Sequence, residues 1–186
     1  MTQDRLALAT TPPDEGVYDR LTVVFHWLTA VLVVLLFALS QIWDFLERGT
    51  PLRKGMQSLH ISLGIALAVV VIVRLVWRYA GGRRLPADPN PLLHLASKAA
   101  HGALYLLLVA QVALGFLFRW AQGEPFMFFG LFSVPELLTP DKPTAHFYGD
   151  LHSAVAWIIM AIAGLHALAA LYHHYGLRDG VLRRMW

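Results

Sequence analysis

One hydrophobic run near the C-terminus, residues 151–175, constrains the fold of this chain more than any other feature. It reads LHSAVAWIIMAIAGLHALAALYHHY and contains no Asp, Glu, Lys or Arg. About 20 apolar residues are enough for one helix to cross the hydrocarbon part of a bilayer. The run therefore predicts a transmembrane helix.

Two histidines of this run, His152 and His166, are separated by 14 residues. At 100° per residue they lie about 40° apart around the helix and roughly 21 Å apart along it. Small residues between them would let a flat cofactor approach the backbone closely. Because ionisable groups inside a membrane are costly and usually functional, the pair predicts ligand sites at two depths.

Composition supports a membrane protein and limits its chemistry. The 186 residues are 57% hydrophobic and 15% charged, with a mean hydropathy of +0.54, whereas charged residues make up about 25% of soluble domains. The absence of cysteine excludes disulfides, thiolate iron–sulfur ligation and covalent haem attachment through C-x-x-C-H. A metal would need histidine, methionine or oxygen ligands. The net charge of +3 indicates loop asymmetry across a membrane, and no nucleic-acid partner is expected.

Three further runs complete the predicted bundle, at residues 21–43, 59–80 and 92–118, the last entering the membrane near Ala99. Residues 1–20 lack the features of a signal peptide and form a predicted N-terminal tail. Residues 177–186 form a short basic tail, and the aromatic connection 119–150 is predicted to lie at the membrane interface, where it could cap a site. The expected fold is an all-α integral membrane four-helix bundle, with the four-helix domain at residues 21–176.

The distribution of Lys and Arg predicts the orientation of this bundle. Ten of these residues flank the side that holds both termini and five flank the other side. Loops rich in Lys and Arg stay in the cytoplasm. Both termini are therefore predicted to be cytoplasmic.

Alternating helix directions sort the histidines by depth. His60 and His152 lie near the outer surface, whereas the inner level has three candidates for two ligands: His166 with either His26 or His101. Bis-histidine ligation of haem iron is the simplest chemistry that uses imidazoles in pairs on different helices. Zinc would favour four ligands clustered at one level. We therefore expect two b haems between the helices.

Several motifs resemble the bacterial cytochrome b561 family, and most closely its four-helix members described as superoxide oxidases. These motifs are YDRLTVVFHWL, HISLG, GLHALAALYHHY and GEPF at residues 123–126. The resemblance implies that His26 and His166 hold the inner haem and that His60 and His152 hold the outer one. It also implies that His101 is not an axial ligand, and Lys98 stands where close relatives have another histidine.

The same resemblance implies a bacterial inner-membrane enzyme that oxidises superoxide outside and passes electrons through two b haems to ubiquinone. No obligatory protein partner is predicted beside the lipid bilayer. Two other functions stay open: a haem-bearing anchor subunit of a dehydrogenase or hydrogenase, and a histidine-lined transporter. The absence of Asp and Glu from the four runs argues against a proton-coupled or divalent-cation transporter.

Three other residues are candidates for the site. His173 lies two turns beyond His166 on nearly the same face, where it could serve a quinone. Arg53 and Lys54 precede His60, where they could pair with haem propionates or steer superoxide, because a basic surface raises the encounter rate of a small anion.

Overall fold

The computed structural model describes residues 16–86 and 90–186, and most of these residues are helical. All four helices are long and apolar enough to cross a membrane. They confirm the predicted all-α membrane four-helix bundle. The helices are α1 (Arg20–Trp43), α2 (Pro51–Ala80), α3 (Pro91–Gln122) and α4 (Lys142–Tyr172). Residues 1–15 of the predicted N-terminal tail lie outside the described residues.

Each helix begins at a polar residue whose side chain accepts a hydrogen bond from the first turn. These N-caps are Asp19, Thr50, Asn90 and Asp141. A proline follows in the first two positions of α2, α3 and α4, where its missing N–H costs nothing. Helices α2 and α4 therefore begin more than two turns before the apolar runs at 59 and 151, and His60 and His152 lie inside helices.

The four helices meet in a small apolar core at mid-height. Helix α1 packs mainly on α2 and helix α3 on α4, while the two pairs share far fewer contacts. The central apolar cluster consists of Leu32, Leu36, Leu67, Val71, Leu108 and Ile159. Ile159 lies seven residues from both His152 and His166, which is about 10 Å along the helix. The cluster therefore separates the two histidine levels.

Both ends of the described chain lie at one end of the bundle, which we call the terminal end. The backbone N–H of Tyr18 donates to the carbonyl of Arg184 at 3.1 Å, and Nε1 of Trp27 donates to the carbonyl of Met185 at 2.9 Å. Helix α4 continues there as a π-helical turn, His173–Leu177, and a 3-10 helix, Leu182–Met185, follows. The last residues thus pack against the start of α1.

Asp19 joins the start of α1 to the end of α2. Its carboxylate accepts hydrogen bonds from the backbone and hydroxyl of Thr22, from Nε1 of Trp77 and from the backbone of Arg83, at 2.7–2.9 Å. Burial opposes ionisation of this group, but these hydrogen bonds outweigh it and hold the pKa of Asp19 well below its ordinary value. The carboxylate therefore acts as an ionised clamp.

The opposite end, which we call the loop end, carries a small β-hairpin in the connection between α3 and α4. Strand β1 (Met127–Phe128) pairs antiparallel with β2 (Phe132–Ser133). The connection is shorter than the predicted 119–150 because both flanking helices extend into it. Buried Ser62 of α2 fixes the hairpin: its hydroxyl donates to the carbonyl of Met127 at 3.3 Å and accepts from the N–H of Phe129 at 2.9 Å. The hairpin therefore lies beside the turn of α2 that carries His60.

Candidate functional site

His60 and His152 face each other near the loop end. His60 lies on α2 and His152 on α4, with ring centroids 6.3 Å apart and ring planes at 73°. The ring of Trp43 packs edge-on against His60 at 5.0 Å. The structure thus brings together the two histidines that depth alone paired.

The outward nitrogen of each loop-end imidazole points to a backbone carbonyl. Nδ1 of His60 lies 3.0 Å from the carbonyl oxygen of Leu36, and Nδ1 of His152 lies 3.1 Å from that of Gln111. A carbonyl can only accept, so both Nδ1 atoms carry hydrogen and both Nε2 atoms keep a lone pair. Metal-ligating histidines are oriented in this way.

Three histidines lie at about the same depth near the terminal end. The ring centroids of His26 and His166 are 6.4 Å apart, with planes at 62°. His101 of α3 is closer to His166, at 5.1 Å, but its side chain is exposed. Nδ1 of His101 donates to the carbonyl of Ser97 at 2.7 Å.

Bis-imidazole ligation provides a test of these distances. A metal–imidazole bond of about 2 Å on each side, with a ring centre about 1 Å beyond each nitrogen, places the ring centroids roughly 6 Å apart. His60 with His152 (6.3 Å) and His26 with His166 (6.4 Å) fit this spacing. His101 with His166, at 5.1 Å, is too close. Both facing pairs therefore have the spacing that a haem iron between two imidazoles requires, whereas the pair of His101 and His166 does not.

The side chain of Gln111 must move for the loop-end pair to bind iron. Its Nε2 lies 3.1 Å from Nε2 of His152, the nitrogen that would face the metal. Its Oε1 is buried and lacks a hydrogen-bond partner among the described residues. A rotation of this amide away from His152 would free Nε2 of the imidazole.

Among residues 16–86 and 90–186, no group of three or more His, Cys, Asp or Glu side chains is arranged so that it could hold a metal ion such as zinc. The histidines come instead in facing pairs at two depths. This arrangement matches a planar ligand held from both sides.

Arg53 has a structural role at the loop end. Its Nη1 donates to the carbonyls of Trp43 and Leu46 at 2.6 and 2.8 Å, and its Nη2 contacts Asp44 at 3.3 Å. It therefore closes the end of α1, whose Trp43 ring contacts His60. Lys54, the other predicted steering residue, is exposed.

His173 lies at the terminal end, where α4 changes into the π-helical turn. Its Nδ1 forms a hydrogen bond with the carboxylate of Asp179. This bond is the main cause that lowers the pKa of Asp179. A cavity of about 310 Å³ at the same end of the bundle is lined by His174, Tyr175, Arg178, Gly180 and Arg183.

Three site residues were missed by the sequence reasoning: Arg74, Gln111 and Gly115. Nη2 of Arg74 lies 3.2 Å from Nδ1 of His26, and Gly115 faces the ring of His152. Arg74 and Gln111 stand out as polar residues inside otherwise apolar runs, a signal that could have identified them. Gly115 gave no such signal.

A four-helix membrane bundle with facing histidine pairs at two depths defines a class of protein, the membrane-embedded b-type cytochromes. The family model described as prokaryotic cytochrome b561 matches residues 17–186. The chain belongs to the prokaryotic cytochrome b561 family, which implies a b-type haem and an electron-transfer function.

Two relatives support this assignment over nearly the whole chain. Cytochrome b561 homolog 2 of Escherichia coli (strain K12) is 35% identical over 181 residues, which cover 97% of this chain and 95% of that protein. A protein of Yersinia pestis named probable superoxide oxidase CybB is 31% identical over 170 residues, which cover 90% of this chain and 94% of that protein.

Proposed function

We propose that this chain is a superoxide:ubiquinone oxidoreductase with two b haems, one at each histidine level. Two superoxide anions give up one electron each and leave as dioxygen, and one ubiquinone takes both electrons and two protons. The observation that carries the proposal is the presence of two facing imidazole pairs at bis-histidine spacing. The choice of superoxide is supported by the name of the relative from Yersinia pestis.

The ligand residues prepare the site for electron transfer alone. The carbonyls of Leu36 and Gln111 orient the loop-end imidazoles, and a bound haem supplies reversible one-electron exchange. An iron held by both imidazoles of a pair would have no open position for oxygen. Superoxide therefore reacts by outer-sphere transfer, and Lys54 near His60 provides a positive charge that raises its encounter rate.

The terminal end supplies one feature that a quinone site needs, a hydrogen-bond donor. A quinone is apolar with two carbonyl acceptors, so its site requires a greasy cleft and a hydrogen-bond donor. His173 offers an imidazole there, and Asp179 can hold that ring in place. His173 thus serves as the proposed donor to the quinone oxygen.

We assign the terminal end to the cytoplasm and the loop end to the outside of the bacterial inner membrane. The ten Lys and Arg residues that flank the terminal side, against five on the other, support this orientation. Residues 1–20 and 177–186 then lie on the cytoplasmic side of the four-helix domain, residues 21–176.

The test is to give superoxide to the purified wild-type protein with excess ubiquinone while haem absorbance is followed. We expect two haems per chain, rapid reduction by superoxide and reoxidation by quinone. Failure of superoxide to reduce the haem, with reduction by a partner dehydrogenase, would favour an anchor subunit instead. A chain that binds no haem would contradict both functions and leave the transporter.

A further inference from the structure

Arg74 places a permanent positive charge within the apolar run of α2. It lies two residues beyond Ile72 and next to Leu75, and a guanidinium does not lose its proton in proteins. A buried charge is costly unless an opposite charge or a full set of acceptors meets it. Whether the charge of Arg74 is stabilised therefore depends on the groups that contact its guanidinium.

The partners of Arg74 within the described residues do not include an anion. Nη2 donates to Nδ1 of His26 at 3.2 Å, and the guanidinium lies over the ring of Tyr105, with 5.0 Å from Cζ to the centroid. Its Nε is buried without a hydrogen-bond partner. No Asp or Glu occurs in any of the four apolar runs. A donor and a full charge are thus left uncompensated beside the terminal-end histidines.

Haem ligation by His26 also breaks the contact that Arg74 has. When Nε2 of an imidazole binds a metal, the ring proton resides on Nδ1. Nδ1 of His26 would then be a donor facing the N–H groups of Arg74, and two donors repel. Arg74 must therefore find another acceptor when the site is loaded. This step rests on the proposed function.

We propose that Arg74 binds a propionate carboxylate of the terminal-end haem. A haem carries two such carboxylates, and the guanidinium fork matches a carboxylate with two parallel hydrogen bonds. The interaction supplies the missing negative charge, satisfies Nε and releases Nδ1 of His26. Tyr105 keeps the guanidinium in place through its ring face. Arg74 is accordingly a cofactor-positioning residue.

The charge of Arg74 also raises the reduction potential of that haem. A nearby cation favours the reduced iron, which carries one positive charge fewer than the oxidised iron. The loop-end histidine pair lies roughly 21 Å away along the bundle, so a haem held there would feel this charge much less. The two haems therefore differ in potential partly through Arg74, in the direction that draws electrons to the terminal end.

The experiment compares Arg74→Gln with Arg78→Gln, which removes the same charge one turn nearer the membrane surface. Each holoprotein is made with haem ¹³C-labelled at the propionate carboxyls, and both redox potentials and the reduced-minus-oxidised infrared spectrum are measured. We expect Arg74→Gln to lower one potential and shift the labelled carboxylate bands. Arg78→Gln should leave the bands unchanged and both potentials near the wild-type values.

Arg74→Lys keeps the positive charge but removes the two parallel N–H groups of the guanidinium. This variant tests the inference if Arg74→Gln does not accumulate. It should retain both haems and potentials near wild type, yet shift the labelled bands. Unchanged bands in either Arg74 variant overturn the inference, even if a potential falls. If the wild-type chain binds fewer than two haems, the proposed function fails instead, so the two failures are distinct.

Discussion

Gly115 of α3 lies directly against His152 of α4. A Cβ added at Gly115 would be 3.2 Å from Cε1 and 3.6 Å from Nδ1 of the imidazole. The first distance is tighter than ordinary van der Waals contact, so the ring would have to shift by a few tenths of an ångström. Because residue 115 has no side chain, the imidazole of His152 can occupy its place against α3.

We predict that Gly115→Ala loosens the loop-end haem and leaves the terminal-end haem unchanged. Displacement of the ring weakens its hydrogen bond to the carbonyl of Gln111, which orients the imidazole. Electron paramagnetic resonance of the oxidised protein should show one altered low-spin signal out of two. Gly102→Ala on the same helix is the control, because its Cβ would meet no neighbouring atom of residues 16–86 and 90–186 within 4 Å. Two unaltered signals in Gly115→Ala would contradict this role.

His26 and His101 offer a direct test of the terminal-end ligands. We predict that His26→Ala and His166→Ala each lose one haem, whereas His101→Ala keeps two low-spin haems. The reason is that only the His26–His166 centroid distance of 6.4 Å fits bis-imidazole ligation. The pyridine haemochrome assay gives the haem-to-protein ratio of each variant. Loss of a haem in His101→Ala, with two retained in His26→Ala, would reverse the assignment.

His173 should act on the quinone step alone. We predict that His173→Ala slows haem reoxidation by ubiquinone on the order of tenfold or more, as for the loss of a general acid. Reduction by superoxide should be unchanged, since it takes place at the loop end. Stopped-flow absorbance separates the two steps, and His174→Ala is the neighbouring control. Equal slowing in both variants would mean that the whole turn matters rather than one imidazole.

Asp19 should make stability depend on pH through the clamp between α1 and α2. Asp19→Ala removes an N-cap and is expected to cost about 0.5–2 kcal/mol of unfolding free energy at neutral pH. Because the pKa of Asp19 is lowered in the folded state, its ionic stabilisation is present above the ordinary value of 3.8 and is lost as pH falls through the folded pKa.

The control for the clamp is Asp19→Asn, which keeps a capping oxygen without the charge. Thermal unfolding in detergent, followed by circular dichroism across acidic pH, should show a steeper loss of stability for wild type than for Asp19→Asn. Parallel curves for the two proteins would show that the charge contributes nothing.

Arg53 and Lys54 are neighbours with different expected roles. We predict that Arg53→Ala lowers the melting temperature, because it removes hydrogen bonds to the carbonyls of Trp43 and Leu46 worth on the order of 1 kcal/mol. Lys54→Ala should leave the melting temperature unchanged but slow haem reduction by superoxide and weaken its salt dependence. A salt dependence identical to wild type would exclude steering by Lys54.

The helices and the loop-end pair could be predicted from the sequence because both depend on local patterns. Apolar runs give the spans, and alternating helix direction leaves His60 and His152 as the only partners near one surface. The partner of His166 at the terminal end could not be identified in this way, since His26 and His101 lie at similar depth. Which of them is correctly spaced from His166 depends on how α1 and α3 pack on α4.

The remaining features depend on contacts between segments far apart in sequence. That Arg53 is bound to carbonyls, rather than free for an anion, follows from the path of the loop after Trp43. The extension of α2 and α4 into the predicted connections follows from caps at Thr50 and Asp141, which a search for apolar residues passes over. The close approach of Gly115 to His152 requires the packing of α3 on α4.

The central apolar cluster has a consequence for energy conversion. It holds the two histidine levels roughly 21 Å apart along α4, which is about two-thirds of the hydrocarbon thickness. An electron that passes between these levels therefore gains or loses about 1.6 kcal/mol for each 100 mV of membrane voltage, depending on its direction. The equilibrium ratio of electrons at the two levels then changes roughly tenfold for each 100 mV. The membrane voltage would therefore oppose electron transfer in one direction and favour it in the other.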